Sequence, residues 1–158
     1  MNQYLFSDAR ISRCGKYRYL LRRQWSVTEG ICVFVGLNPS TADAEKDDPT
    51  IRRCVGFAKD LGYGSMWMVN LFAYRATSPK EMMRALDPIG PGNNDTLRSV
   101  AGSHMIIAAW GTHGTYMERD KQVKSILHGR LHTLRETQGG HPAHPLYLPK
   151  HLKPVFYA

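Results

Sequence analysis

Cysteine is scarce in this sequence: Cys14, Cys32 and Cys54 are odd in number and form no C-x-x-C pair. That excludes the usual zinc, dithiol and iron–sulfur spacings and fits a reducing cytoplasm. No apolar run approaches the roughly 18 residues of a membrane span, and no signal-peptide hydrophobic region opens the chain, so a soluble, unexported protein is expected. Repeats, low-complexity tracts and linkers are also missing, and 158 residues suit one domain spanning 1–158. Acidic residues are outnumbered, 13 against 21 Lys and Arg, giving a formal charge of +8. Such a balance favours polyanionic partners, nucleic acid or nucleotides, over a plain solvated surface only weakly. Neither the Lys of a phosphate-binding loop nor the later glycines of a dinucleotide fingerprint follow Gly36, so no nucleotide cofactor is expected.

What is present is an alternation of strands and helices. Residues 17–25 mix aromatic, apolar and basic side chains as an edge strand does, and the front section reads as a hairpin. Ile31-Cys32-Val33-Phe34-Val35 is an unbroken β-branched and aromatic run ending in Gly36, the pattern of a central strand covered on both faces. Asp48-Pro49 reads as N-cap and first residue of a helix whose apolar positions Ile51, Cys54, Val55, Ala58 and Leu61 recur until Gly62. Cys32 and Cys54 are thereby expected to be buried as small hydrophobes. Met66 to Leu71 is a second buried strand, and Ser78-Pro79-Lys80-Glu81 a capping box. Further helices are expected over Asp95–Ala101 and 116–128, and further strands over 104–110 and 131–135. The proline-rich end is expected to pack in extended form. The sum is an α/β fold: three layers, α/β/α, on a mainly parallel central sheet of about four strands plus an N-terminal hairpin.

In such a sheet ligands bind beyond the carboxyl ends of the strands. The loops there carry Asn38 with Ser40, Thr41 and Asp43; Asn70 with Tyr74 and Arg75; Thr112 with His113; and His141 with His144. Each residue alone suits a turn or cap; together they mark one site. Pro39 holds Asn38 in extended geometry at the strand tip, where its amide suits orienting a water or pairing with a heterocycle. Phe72, Tyr74 and Arg75 combine rings with a guanidinium, as a stacked base and its phosphate require. His141 and His144 offer a hydrogen bond to developing charge. With Asp43, Asp47 and Asp48 they also offer metal donors, but at no recognised spacing, and no metal is expected.

The segments FVGLNPSTAD, DPTIRRC, GFAKDLGYG, VNLFAYRAT, IIAAWGTHG and GHPAHPLYLP resemble, over nearly the whole chain from Phe6, a bacterial and phage domain family of unknown function. More remotely, the layout is similar to the uracil-DNA glycosylase superfamily, especially its mismatch-specific branch. Gly36-Leu37-Asn38-Pro39, Val69 to Arg75, Ala109-Trp110-Gly111 and His141-Pro142 match its successive motifs in order. The resemblance implies a flipped base in a pocket, Asn38 positioning the attacking water, Phe72 stacking on the base and His141 stabilising the departing base anion. Ser40, Asn70, Tyr74, Arg75 and His144 would bind base or strand, and Leu146 would be the wedge that fills the vacated stack. Ser40 stands where that family has glycine, and Ala143 where it has serine.

The leading expectation is therefore a DNA base glycosylase acting on a damaged or modified base, without cofactor. A non-catalytic module for a nucleotide or modified base, and a metal-assisted hydrolase or transferase on free nucleotides, are the alternatives.

Overall fold

The computed structural model of the chain describes residues 3–158. Among them, seven strands form one mixed sheet: β1 (Phe6–Ile11), β2 (Arg18–Gln24), β3 (Ile31–Gly36), β4 (Ser65–Asn70), β5 (Met105–Ala108), β6 (Leu131–Thr133) and β7 (Val155–Phe156). Their order across the sheet is β1-β2-β4-β3-β5-β6-β7. The four inner strands β4, β3, β5 and β6 run parallel, in register from Ile31 against Ser65 to Gly36 against Asn70 on one side of β3, and from Cys32 against Met105 on the other. The β1–β2 hairpin joins β4 antiparallel, and β7 joins β6 antiparallel. The α/β class, the parallel core and the hairpin are as the sequence predicts.

β3 is central because both its faces are apolar. Val33 and Val35 point into one buried cluster, with Leu97, Val123 and Leu127; Cys32 and Phe34 point into another, with Ile51, Cys54 and Ala58. All four strand residues are fully buried. Helix α1 (Pro49–Asp60) covers the second face, and α3 (Asn93–Ser99) and α4 (Arg119–Ile126) the first. The chain steps from β3 to β4 on one side through α1, then crosses back past β3 to β5, which makes the carboxyl end of β3 the switch point where a crevice opens.

Local signals hold where the chemistry is self-contained. Asp48 caps α1, its carboxylate accepting from the Ile51 N–H at 2.9 Å with Pro49 next, and Gly62 ends the segment at φ +89°. At α2 (Pro79–Met83) the Ser78 hydroxyl accepts from the Glu81 N–H at 3.2 Å, but the Glu81 carboxylate accepts from Thr77 instead of closing the box, and the helix is one short turn.

Three expectations change. Residues 17–25 are not an edge: β2 lies between β1 and β4, and its Arg18 and Arg23 are 2% and 0% exposed. A basic strand looks solvated in sequence; here loop carbonyls and a carboxylate from residues 42–47 take up the guanidinium groups. The expected helix over 116–128 begins only at Arg119, because residues 112–118 form a 3-10 segment and Met117 and Glu118 turn left-handed, at φ 55° and 52°. The tail does pair with the sheet, yet Val155 and Phe156 are exposed, and it is Tyr157 that packs on Trp110. No helix among the described residues is long and apolar enough to cross a membrane.

Candidate functional site

A cavity of about 640 Å³ opens at the carboxyl ends of β3, β4 and β5, on the α1 face of the sheet. Gly36, Met68, Asn70 and Ala109 form its floor; residues 37–40, the start of α1, Ala76 to Pro79, Gly111 to His113 and the 143–148 segment form its walls. Position 36 requires glycine for close approach to Asn70: a Cβ there would lie 2.8 Å from the Asn70 Oδ1.

Asn38 stands half-buried on the wall. Its Nδ2 donates to the Ala76 carbonyl at 2.9 Å and the Pro39 carbonyl at 3.2 Å, and the Ala76 N–H returns a bond to the Pro39 carbonyl at 3.0 Å. The loops after β3 and β4 are thus tied together and the amide is fixed by its nitrogen, leaving Oδ1 as its free acceptor. Ser40 lines the same wall. Asn70, 2% exposed on the floor, has a buried Nδ2 with no partner.

Arg18 was not foreseen. It lines the cavity from the first residue of β2, with Nη1 donating to the Ala42 carbonyl at 3.0 Å and Nε buried without a partner. It belongs to none of the ion pairs among the described residues, which join Arg22 to Asp8, Arg23 to Asp47, Arg98 to Asp95 and Lys121 to Glu118. Burial pushes its pKa down to about 10, so it remains a cation at neutral pH.

His144 lines the cavity at the start of the 3-10 turn Pro145–Tyr147. Its Nδ1 accepts from the Leu146 N–H at 3.2 Å, which places the proton of the neutral ring on Nε2, a donor. His144 is exposed as a residue, and the part of its ring turned to the protein lowers its pKa, which the Asp48 carboxylate opposes. A titration followed by NMR should place its midpoint below the ordinary 6.5. Because the unfolded chain then takes the proton first, the contribution of His144 to stability is present above that ordinary value and is lost as pH falls toward the folded one. Replacing His144 by Gln should flatten the dependence of stability on pH as pH falls below the ordinary 6.5; an unchanged slope would contradict the assignment.

The remaining expectations do not reach the cavity. Phe72 is fully buried in the opposite cluster, tilted against Tyr116 with ring centres 5.8 Å apart, so no base can stack on it. Its position past the end of β4 turns it inward, where an apolar ring belongs. Tyr74 packs edge-on against Tyr17, and Arg75 donates to the Gly15 carbonyl at 3.3 Å. Neither lines the cavity. His141 lies in a tight turn, its carbonyl accepting from the Thr137 N–H at 2.8 Å and its N–H donating to the Thr137 hydroxyl at 3.2 Å; His144 holds the place on the wall expected of it. Leu146 faces a neighbouring groove with Arg52, Arg53 and Lys150. Tyr147, 88% exposed, is the aromatic ring at the cavity mouth.

A family model described as a protein of unknown function (DUF1643) matches residues 18–146. The chain belongs to this family. No curated protein and no solved structure matches it. The residues the DUF1643 match spans include Arg18 at its first position and every cavity-lining residue except Tyr147 and Leu148.

The acidic residues near this DUF1643 site serve the fold. Asp43 accepts from the Glu45 and Lys46 N–H groups, Asp47 pairs with Arg23, and Asp48 caps α1. Among the described residues no three His, Cys, Asp or Glu side chains gather as a metal centre.

Proposed function

We propose that the cavity receives a nucleobase and that the protein hydrolyses its N-glycosidic bond, as a DNA base glycosylase on a three-layer α/β/α arrangement of the uracil-DNA glycosylase type. The observation that carries this reading is Asn38: an amide locked through Nδ2 at the tip of the central strand, with its Oδ1 uncommitted, is built to accept a hydrogen bond from a water and aim it.

In the reaction the water oxygen bonds to C1′ while the C1′–N bond breaks and its electron pair leaves with the base. The proton shed by the water passes to the base or to solvent. The transition state is oxocarbenium-like, so positioning the water and stabilising the leaving anion both count, each by about 10²- to 10⁴-fold. Asn38 supplies the first. His144, neutral and donating from Nε2, supplies the second, in the role the resemblance gives to His141. Asn70 offers its unpartnered amide to an acceptor on the base edge, and Tyr147 takes the stacking role that the burial of Phe72 denies it. Arg52 and Lys150, in the groove that Leu146 lines, offer charge to the phosphates of a strand whose base is extruded, while Arg53 of the same groove is held by the Pro145 and Leu148 carbonyls.

The test is to incubate the protein with duplex and single-stranded DNA carrying uracil, hypoxanthine, mismatched thymine or modified pyrimidines, and to reveal abasic sites with alkali. Strand breaks with at least one of these are expected. A blank panel with DNA binding that falls steeply with salt would instead identify a non-catalytic base-binding module. Activity abolished by a chelator would favour the metal-assisted hydrolase or transferase on free nucleotides.

A further inference from the structure

We infer that the cavity is an oxyanion site: its occupant carries a carboxylate or phosphate group that pairs with Arg18. This inference goes beyond base cleavage and stands whether or not the protein is a glycosylase.

The argument begins from cost. A guanidinium taken out of water must be repaid by hydrogen bonds and an opposite charge, and a buried charge is normally found with both. The same strand shows the rule in Arg23, whose Nε meets the Asp47 carboxylate at 2.8 Å and whose Nη atoms meet the carbonyls of Asp8, Arg22, Asp43 and Lys46. Arg18, at 2% exposure, has one carbonyl and no carboxylate within 4.0 Å. Asp48 and Asp43 oppose its charge from a distance, while Arg75 and Arg23 add to the positive field. The Asp48 carboxylate is itself engaged with the Ile51 N–H.

What distinguishes Arg18 from a merely frustrated side chain is where it lies. Its Nε and the Asn70 Nδ2 are both buried donors without partners, and both residues line the one cavity. Water in the cavity satisfies a donor but leaves the charge of the guanidinium uncompensated. An oxyanion does both, and its two oxygens match the fork of an arginine. If the occupant is a base in DNA, the anion is an acidic substituent on that base, since the backbone phosphates of a duplex stay outside. If the occupant is a free nucleotide, the anion is its phosphate.

The test uses the whole protein and the Arg18 Nε–H resonance in ¹⁵N NMR, assigned by its disappearance in Arg18→Met. Inorganic phosphate and acetate are titrated at constant ionic strength against chloride. A saturable shift with phosphate or acetate and none with chloride is expected. Thymidine, thymidine 5′-monophosphate and 5-carboxy-2′-deoxyuridine are then compared by calorimetry. Tighter binding of the monophosphate identifies a nucleotide phosphate as the source, and tighter binding of the carboxylated nucleoside an acidic base. In either case Arg18→Met should weaken the preferred ligand about ten- to a hundredfold, the worth of a charge-assisted hydrogen bond. Its melting temperature should be unchanged or higher, because an unpaired buried charge has been replaced by an apolar chain of similar length. A resonance that responds to all three salts alike, or to none, overturns the proposal. So does an Arg18→Met protein that melts markedly lower and binds every ligand as the natural protein does, for then Arg18 only braces the Ala42 carbonyl. Base release that survives Arg18→Met at full rate, with no oxyanion bound, would sink this inference and leave the glycosylase reading intact; a saturable anion shift beside a blank glycosylase panel would do the reverse.

Discussion

Asn38→Ala is expected to lower the rate of base release by about 10²- to 10⁴-fold, the range for losing a group that positions the reacting water. The fold should persist. The lost side chain makes two hydrogen bonds to loop carbonyls, at 2.9 and 3.2 Å, and a net hydrogen bond contributes about 1 kcal/mol. Single-turnover kinetics on any substrate that yields abasic sites in the test of the proposed activity, with binding measured separately on the same duplex, read the two effects apart. The rate should fall while affinity changes by less than about tenfold, because the water is needed at the transition state and the base is held by other groups. Equal losses in rate and affinity would show Asn38 to be a contact for the base, as a binding module requires.

The largest effect on stability is expected at Arg23. Its guanidinium is fully buried and joins β2 to the 43–47 loop through the Asp47 carboxylate at 2.8 Å and through the Asp43 and Lys46 carbonyls, while the Tyr4 hydroxyl donates to the same Asp47 at 2.6 Å. That loop runs directly into Asp48, the cap of α1 and part of the cavity wall. Arg23→Ala leaves a largely buried carboxylate unpaired and should cost about 3–5 kcal/mol. In a chain of this size that is a fall in melting temperature of roughly 10 °C. Denaturant unfolding should give the same loss. Arg23→Met combined with Asp47→Leu should recover most of it, since removing both charges avoids the uncompensated one. A loss below about 1 kcal/mol would mean that solvent reaches the pair.

Arg18 and Arg23 lie five positions apart on one strand, and the sequence does not tell them apart: each reads as a basic residue in a basic strand. What the sequence by itself determined was whatever depends on near neighbours or on strict periodicity. The β-branched run Ile31 to Val35 specified a strand buried on both faces; Asp48-Pro49 with Ile51, Cys54, Val55 and Ala58 specified a capped helix; and the parallel sheet brought Asn38, Ser40, Asn70, His113 and His144 of the strand-end loops to one cavity, though not Tyr74, Arg75 or His141 of the same loops. The sequence could not rank the two histidines of the His-Pro-Ala-His segment or turn Phe72 inward, because a side chain past the end of a strand takes its direction from the packing it meets. Only the tertiary structure decided that β1 covers the outer side of β2, that the 42–47 loop closes over Arg23 and leaves Arg18 facing a cavity, and that Tyr147 is left standing in solvent at its mouth. Burial and charge pairing are set by elements distant in the chain, so near-neighbour patterns do not show which buried charge meets a partner.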